Sequence, residues 1–133
     1  MRLDKSYKTA IKRAGLSAPI KLLKDTLGVF SRGDKVLDYG CGRGMDSALL
    51  GIEKYDPYYF PERPSVKFSL ILCTYVLNTL SKNKEHEILG DIKFLLRSQG
   101  KAYITVRRDV KSSGYRKSGT YQRVQVEKDF FKQ

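Results

Sequence analysis

Tryptophan is absent from these 133 residues, histidine occurs once, cysteine twice and proline four times, and 14 acidic side chains face 26 basic ones. Two cysteines, Cys41 and Cys73, cannot build the bridged framework of a small exported domain, and neither stands at zinc-ligand spacing. A reducing, cytoplasmic setting is therefore expected. The one histidine, His86, lies among Lys84, Glu85 and Glu87; an exposed place at the start of a charged helix is expected, and no metal site or Ser-His-Asp relay can be assembled around it. No apolar run approaches the roughly 20 residues that cross a bilayer, and MRLDKSYKTA has no apolar segment of signal-peptide length. Neither a membrane nor a metal is expected as a partner. The acid deficit leaves a net charge of +12, a field that steers polyanions toward the chain without naming one.

What is present suffices for one packed core. A chain of this length with 41% hydrophobic and 11% aromatic residues excludes disorder throughout and leaves no room for a two-domain enzyme. Residues 4–14 set Tyr7, Ala10, Ile11 and Ala14 at helical spacing, with Gly15 where a helix would stop. SAPIKLLKDTLG predicts a second helix, with Ser17 as N-cap, Pro19 in the first turn, Ile20, Leu23 and Leu27 on one face and Gly28 as breaker. From Lys35 the period changes. KVLDYG is a short apolar strand emptying into the glycines of GCGRG, MDSALL has room for barely two helical turns, and IEKYDP is a second strand ended by Asp56-Pro57. After an irregular stretch, FSLILCT begins as a buried strand, KEHEILGDIKFLLRSQG reads as an amphipathic helix closed near Gly100, and KAYITV is the next strand. Tyr121 to Val126 suits an antiparallel last strand. Such alternation of nearly continuous apolar strands with helices is the pattern of an α/β fold with a mostly parallel sheet. The expected organisation is a single domain: N-terminal helices over 1–34, a cofactor-binding core over 35–106, and a basic loop and strand over 107–133.

The strongest local signal is VLDYGCGRGMD, residues 36–46. A strand ending in Asp38 and followed by Gly40, Gly42 and Gly44 lets backbone turn sharply and approach a ligand with no Cβ in the way. The next strand ends in Asp56, suitably placed for ribose hydroxyls. The loop lacks the Gly-Lys-Ser/Thr of nucleotide hydrolases, and its GCGRG spacing is not the GxGxxG of dinucleotide dehydrogenases.

On these residues the chain resembles the class I S-adenosylmethionine-dependent methyltransferases. Together with LSAPIKLL, YDPYYFP, LCTYVLNTL, EHEILGDIKFLL and ITVRRD, it looks like the small methyltransferase-like proteins associated with DNA phosphorothioation, over about residues 16–109. The resemblance implies a minimal Rossmann-like sheet with S-adenosylmethionine at the carboxyl ends of its strands. Asp38, Gly40, Cys41, Gly42 and Gly44 would lie against the methionine end, Asp56 would take the ribose, Pro57 and Tyr58 would border the adenine, and Cys73, Thr74 and Tyr75 would line the methionine side. The dozen residues after Asp56 replace the helix, strand and helix usual between the second and fourth family strands. The C-terminal part is also short for the family, so a trimmed sheet lacking an edge strand and an exposed pocket are expected. Homodimerisation or a partner protein would complete such a pocket.

Asp56-Pro57-Tyr58-Tyr59 also resembles the DPPY segment of amino-group methyltransferases, which binds an extruded base. That segment follows the fourth strand and this one the second, so position favours ribose and adenine. No motif names a catalytic residue; the candidates are Tyr75, Asn78 and Arg107, and Asn78 serves equally as a polar cap on the following helix. Cys41 and Cys73 read as buried thiols rather than nucleophiles.

The charge is uneven. Residues 1–35 carry nine basic and three acidic side chains, residues 36–106 nine and eight, and residues 107–133 eight and three. Arg107, Arg108, Lys111, Arg116, Lys117 and Arg123 mix with Tyr115 and Tyr121, a composition that suits phosphate contact and base stacking, and equally a solubilising tail. A small methyltransferase acting on nucleic acid is the expected function. Two other functions remain open: an enzyme that cleaves S-adenosylmethionine, and a basic binding module that no longer holds it.

Overall fold

The computed structural model describes residues 15–25, 33–106, 113–115 and 121–122. The helix expected over 4–14, Leu27 and Gly28 lie outside them.

Helix α1, Ala18–Asp25, buries Ile20 and Leu23, the i and i+3 positions of its apolar face. Ser17 precedes it, but its hydroxyl does not cap the helix. Instead its N–H donates to Asp46 Oδ1 at 2.7 Å and its Oγ–H to Asp46 Oδ2 at 2.7 Å, so the residue ties α1 to the first turn of α2, Met45–Leu50. A long-range acceptor has displaced the local cap, and the carbonyl of Ser17 still takes the first helical hydrogen bond, from Lys21 N.

Four parallel strands form the sheet: β1 Val36–Tyr39, β2 Glu53–Tyr55, β3 Phe68–Thr74 and β4 Leu96–Thr105, in the order β2-β1-β3-β4. All four residues of β1, Asp38 included, are buried, which suits a central strand covered on both faces. Alternation along the strands divides the core into two layers. Leu37, Tyr39, Phe68, Ile71 and Cys73 pack under Ile92 and Leu95 of helix α3, Lys82–Leu95. On the other face Val36, Leu70 and Leu72 pack on Ile20 and Leu23 of α1.

The trimmed architecture agrees with the expectation. β2 is an edge strand, and residues 56–67 return to β3 with no helix or strand among them. Midway along this return the Arg63 guanidinium forks onto the Asp91 carboxylate of α3, which also accepts a hydrogen bond from Tyr39 Oη.

Three boundaries differ from the sequence reading. First, α3 ends at Leu95 and runs directly into β4, so Gly100 lies inside a strand. The polar RSQG segment is accommodated by a bulge: pairing moves from Phe68↔Leu96 to Leu70↔Lys101, and Gln99 takes φ 68°. Second, α3 is capped by Ser81, whose Oγ accepts from Lys84 N, and not by Asn78, which is buried in a 3₁₀ turn, Leu77–Thr79. Third, the C-terminal strand, as far as it is described, lies outside the parallel sheet. Its described part, β6 Tyr121–Gln122, pairs antiparallel with β5 Gly114–Tyr115 as a separate two-stranded ribbon beside the 3₁₀ turn. Among the described residues no helix is long and apolar enough to cross a membrane.

Candidate functional site

The chain leaves β1 for β2 on one side and later returns to β3 on the other. The carboxyl ends of β1 and β3 therefore flank a topological switch point, where open parallel sheets bind their ligands. The glycine loop, residues 40–44, stands there.

Gly40, Gly42 and Gly44 have φ of 75°, 58° and 78°, a region that side chains with Cβ occupy only under strain. Close approach adds to the requirement at two of them. A Cβ on Gly40 would stand 2.5 Å from Val76 Cγ2, just beyond β3, and one on Gly44 would stand 2.9 Å from the Phe60 ring. The loop amides are held from the neighbouring strand: Gly40 N and Cys41 N both donate to Tyr55 O, at 2.7 and 3.1 Å, and Gly44 N closes a turn onto Cys41 O. Beneath the loop, the buried Asp38 carboxylate accepts from Ser47 Oγ at 2.9 Å, joining the end of β1 to α2.

Asp56 is only 8% exposed. Its Oδ2 accepts from Gly42 N at 2.8 Å, while Oδ1 accepts from Tyr58 N at 2.9 Å and Tyr59 N at 3.1 Å. Backbone hydrogen bonds in both directions between Asp56 and Phe60 close the turn over residues 56–60. The turn presents an exposed Tyr58 in edge contact with Tyr59, Arg43 over the Tyr59 ring and Lys54 over the Phe60 ring.

On the other side of the switch point, Tyr75 takes φ 59° and donates its N–H to Thr105 O at 2.7 Å. This strained conformation turns the chain sharply at the end of β3 and leaves the Tyr75 ring partly exposed. Thr74 Oγ1 is buried with no hydrogen-bond partner among the described residues. Cys73 is fully buried in the layer beneath α3, so its side chain faces that core. Desolvation, with Asp38 adding to it, pushes the Cys73 thiol far up. Cys41 is pushed up to about 12 by burial first and then by Asp38 and Asp56. Both thiols are protonated near neutrality, as the nucleophile-free reading requires.

Asp38, Gly40, Cys41, Gly42, Gly44, Asp56, Pro57, Tyr58, Thr74 and Tyr75 thus cluster around the carboxyl ends of β1, β2 and β3. Asn78 is buried one turn further on, and His86 is exposed on α3. Arg107, Arg108, Lys111, Arg116, Lys117 and Arg123 lie outside the described residues. Val76, Phe60 and Arg43 belong to the site without having been singled out by sequence. All three sit inside segments that were, GCGRG, YDPYYFP and LCTYVLNTL, but nothing local marks Val76 as the neighbour of Gly40. Among the described residues no group of three His, Cys, Asp or Glu side chains is arranged to hold a metal ion.

A family model described as a methyltransferase domain matches residues 10–129. No curated protein matches the chain. With the family model spanning the glycine loop, the parallel sheet and its switch point together, the chain belongs to the methyltransferase domain family.

Proposed function

We propose that the chain is an S-adenosylmethionine-dependent methyltransferase acting on nucleic acid. The observation that carries the cofactor is the glycine loop at the switch point, with three left-handed glycines, of which Gly40 has no room for a Cβ against Val76 and Gly44 none against Phe60. These residues fit the methionine end of the cofactor: bare backbone at Gly40 to Gly44 follows the carboxyl end of β1, and Thr74 and the Tyr75 turn stand at the carboxyl end of the neighbouring β3.

Bound S-adenosylmethionine would supply a sulfonium-activated methyl group for transfer to a nucleophile. The chain's own contribution is alignment. Asp38 and Ser47 fix the end of β1, Tyr55 O and Asp56 fix the loop, and the Tyr75 turn shapes the opposite wall. Methyl transfer needs donor and acceptor held in line more than it needs a proton relay, which agrees with a site containing neither histidine nor thiolate.

Nucleic acid as acceptor rests on charge and on aromatic surface. The net charge of +12 is concentrated toward both ends of the sequence, and beside the site Arg43 lies over the half-buried Tyr59 ring next to the exposed Tyr58, a cation and an open ring of the kind that phosphate contact and base stacking use. The resemblance to phosphorothioation-associated proteins makes DNA the first acceptor to try. A second copy or a partner protein at the open β2 edge would complete the pocket.

The test is calorimetric titration with S-adenosylmethionine and S-adenosylhomocysteine, followed by transfer of labelled methyl to DNA and RNA. Binding with transfer supports the reading. Cofactor consumption without an acceptor identifies a cleaving enzyme instead, and no binding at any protein concentration points to a binding module or to an obligate partner.

A further inference from the structure

We infer that Asp56 is a positioning residue: its carboxylate locks the glycine loop to the aromatic turn and leaves the cofactor's ribose hydroxyls to other groups. The ribose half of this inference rests on the cofactor reading above; the loop half does not.

An acidic residue at the end of a second strand has an obvious ligand role, but its chemistry here is already committed. A carboxylate offers about four lone-pair sites, and three of them accept backbone amides: Gly42 on Oδ2, Tyr58 and Tyr59 on Oδ1. Those donors come from two separate segments, so the side chain is a bridge and not the cap of one turn. Swinging out would cost all three of these hydrogen bonds, while the backbone of Asp56 is itself held in place by pairing in both directions with Phe60. At 8% exposure it has almost no surface left for a ligand.

The bridge completes a pattern. Gly40 and Cys41 donate to Tyr55 O and Gly42 to Asp56, so consecutive loop amides are all held by the end of β2 and the residue after it. Phe60 then lies against Gly44 from the same side. A glycine-rich loop has the greatest conformational freedom to lose on ordering. Here β2 and its turn remove that freedom before any ligand arrives, which lowers the ordering cost of binding.

The experiment compares the full chain with Asp56→Asn. Asparagine keeps one acceptor for Tyr58 and Tyr59 but turns a donor toward Gly42 N–H, so the bridge fails on the glycine side. In the absence of ligand, exchange of the Gly42 amide is expected to accelerate about tenfold or more, while amides of β1 and β3 keep their wild-type rates. Uniform acceleration, or none at Gly42, overturns the inference. For the ribose, affinities for S-adenosylhomocysteine and for its 2′,3′-dideoxy analogue are measured in both proteins. The positioning role predicts the same affinity ratio within about twofold in each protein, because independent effects add. Loss of hydroxyl discrimination in Asp56→Asn overturns it and makes Asp56 the ribose ligand.

If wild type binds neither compound, the cofactor reading fails and the exchange result alone decides the bridge. If the variant does not fold, the through-hydrogen-bond coupling between Gly42 N and the Asp56 carboxyl carbon decides in wild type. Its persistence when S-adenosylhomocysteine is added supports positioning, and its disappearance overturns it.

Discussion

Alanine at Gly40 combines two penalties that the structure allows to be separated. The first is conformational: at φ 75° an L-residue with a Cβ costs about 1–2 kcal/mol relative to glycine. The second is steric, because the new methyl would stand 2.5 Å from Val76 Cγ2. Relief requires moving a β-branched side chain that is stiff at χ1 and follows the strained Tyr75; overpacking of this kind costs about 1–3 kcal/mol. Gly40→Ala is therefore expected to destabilise by about 2–5 kcal/mol. Gly51→Ala is the control, since its φ is 67° and no atom lies within 4 Å of the added Cβ; it should lose only about 1–2 kcal/mol. Val76→Ala removes the colliding methyl and leaves its own Cβ at 3.5 Å, an ordinary contact. Its own loss should be about 1 kcal/mol for a half-buried side chain. In a double-mutant cycle followed by urea denaturation, the Gly40→Ala/Val76→Ala pair should recover about 1–3 kcal/mol relative to additivity, with m unchanged. A Gly40→Ala cost equal to that of Gly51→Ala, or strict additivity with Val76→Ala, would refute the contact between the two loops.

Three further outcomes follow from the geometry. Asp46→Ala strands both the N–H and the hydroxyl of Ser17 and should cost about 2–4 kcal/mol in urea denaturation, against about 1 kcal/mol for Ser17→Ala, which loses only the hydroxyl bond. Burial acts to raise the Asp91 pKa, but hydrogen bonds from Arg63 and Tyr39 overcome it and hold the group below its ordinary value. Its stabilisation is thus complete above the usual carboxylate range and lost as pH falls through the depressed value; with Arg63 substantially exposed, Asp91→Asn should cost only about 1 kcal/mol at pH 7, and the gap from wild type should close in acid. The half-buried Cys41 thiol, pushed up to about 12, should react with a disulfide reagent at pH 8 at least about tenfold more slowly than a free thiol, and parity with free cysteine would contradict its desolvation.

The order of elements between Lys35 and Val106 is legible because the central strands β1 and β3 are mostly apolar and buried and the glycines between 40 and 44 punctuate the first of them sharply. The α3–β4 boundary is not. Arg97, Ser98 and Gln99 have the composition of a loop, and only their pairing beside β3, with Gln99 in a left-handed bulge, makes them strand. Tertiary pairing overrides propensity there. Ser17 is hidden for a different reason: its position favours an N-cap, while the acceptor that claims it is 29 residues away. Asp56 illustrates the limit at the site itself. A strand-ending acid looks the same in sequence whatever it binds, and the three backbone amides that Asp56 accepts from become visible only in the fold of the turn over 56–60.

That turn begins a connection whose shortness explains its chemistry. A helix crossing from β2 to β3 would hold itself on the sheet through an apolar face. Residues 56–67 have no helix and so no such face, and they are fastened instead by single polar side chains. Asp56 binds the glycine loop at the carboxyl end of the sheet, Arg63 forks onto Asp91 midway, and Lys67 donates to Phe94 O while lying over its ring at the far end of α3. Loss of one fastening in such a segment should open it locally and leave the two core layers intact, because neither layer depends on it for apolar contact. The end of the connection that matters most is the first. It is the one that couples the shape of the glycine loop to a segment the family fold ordinarily spends on other structure.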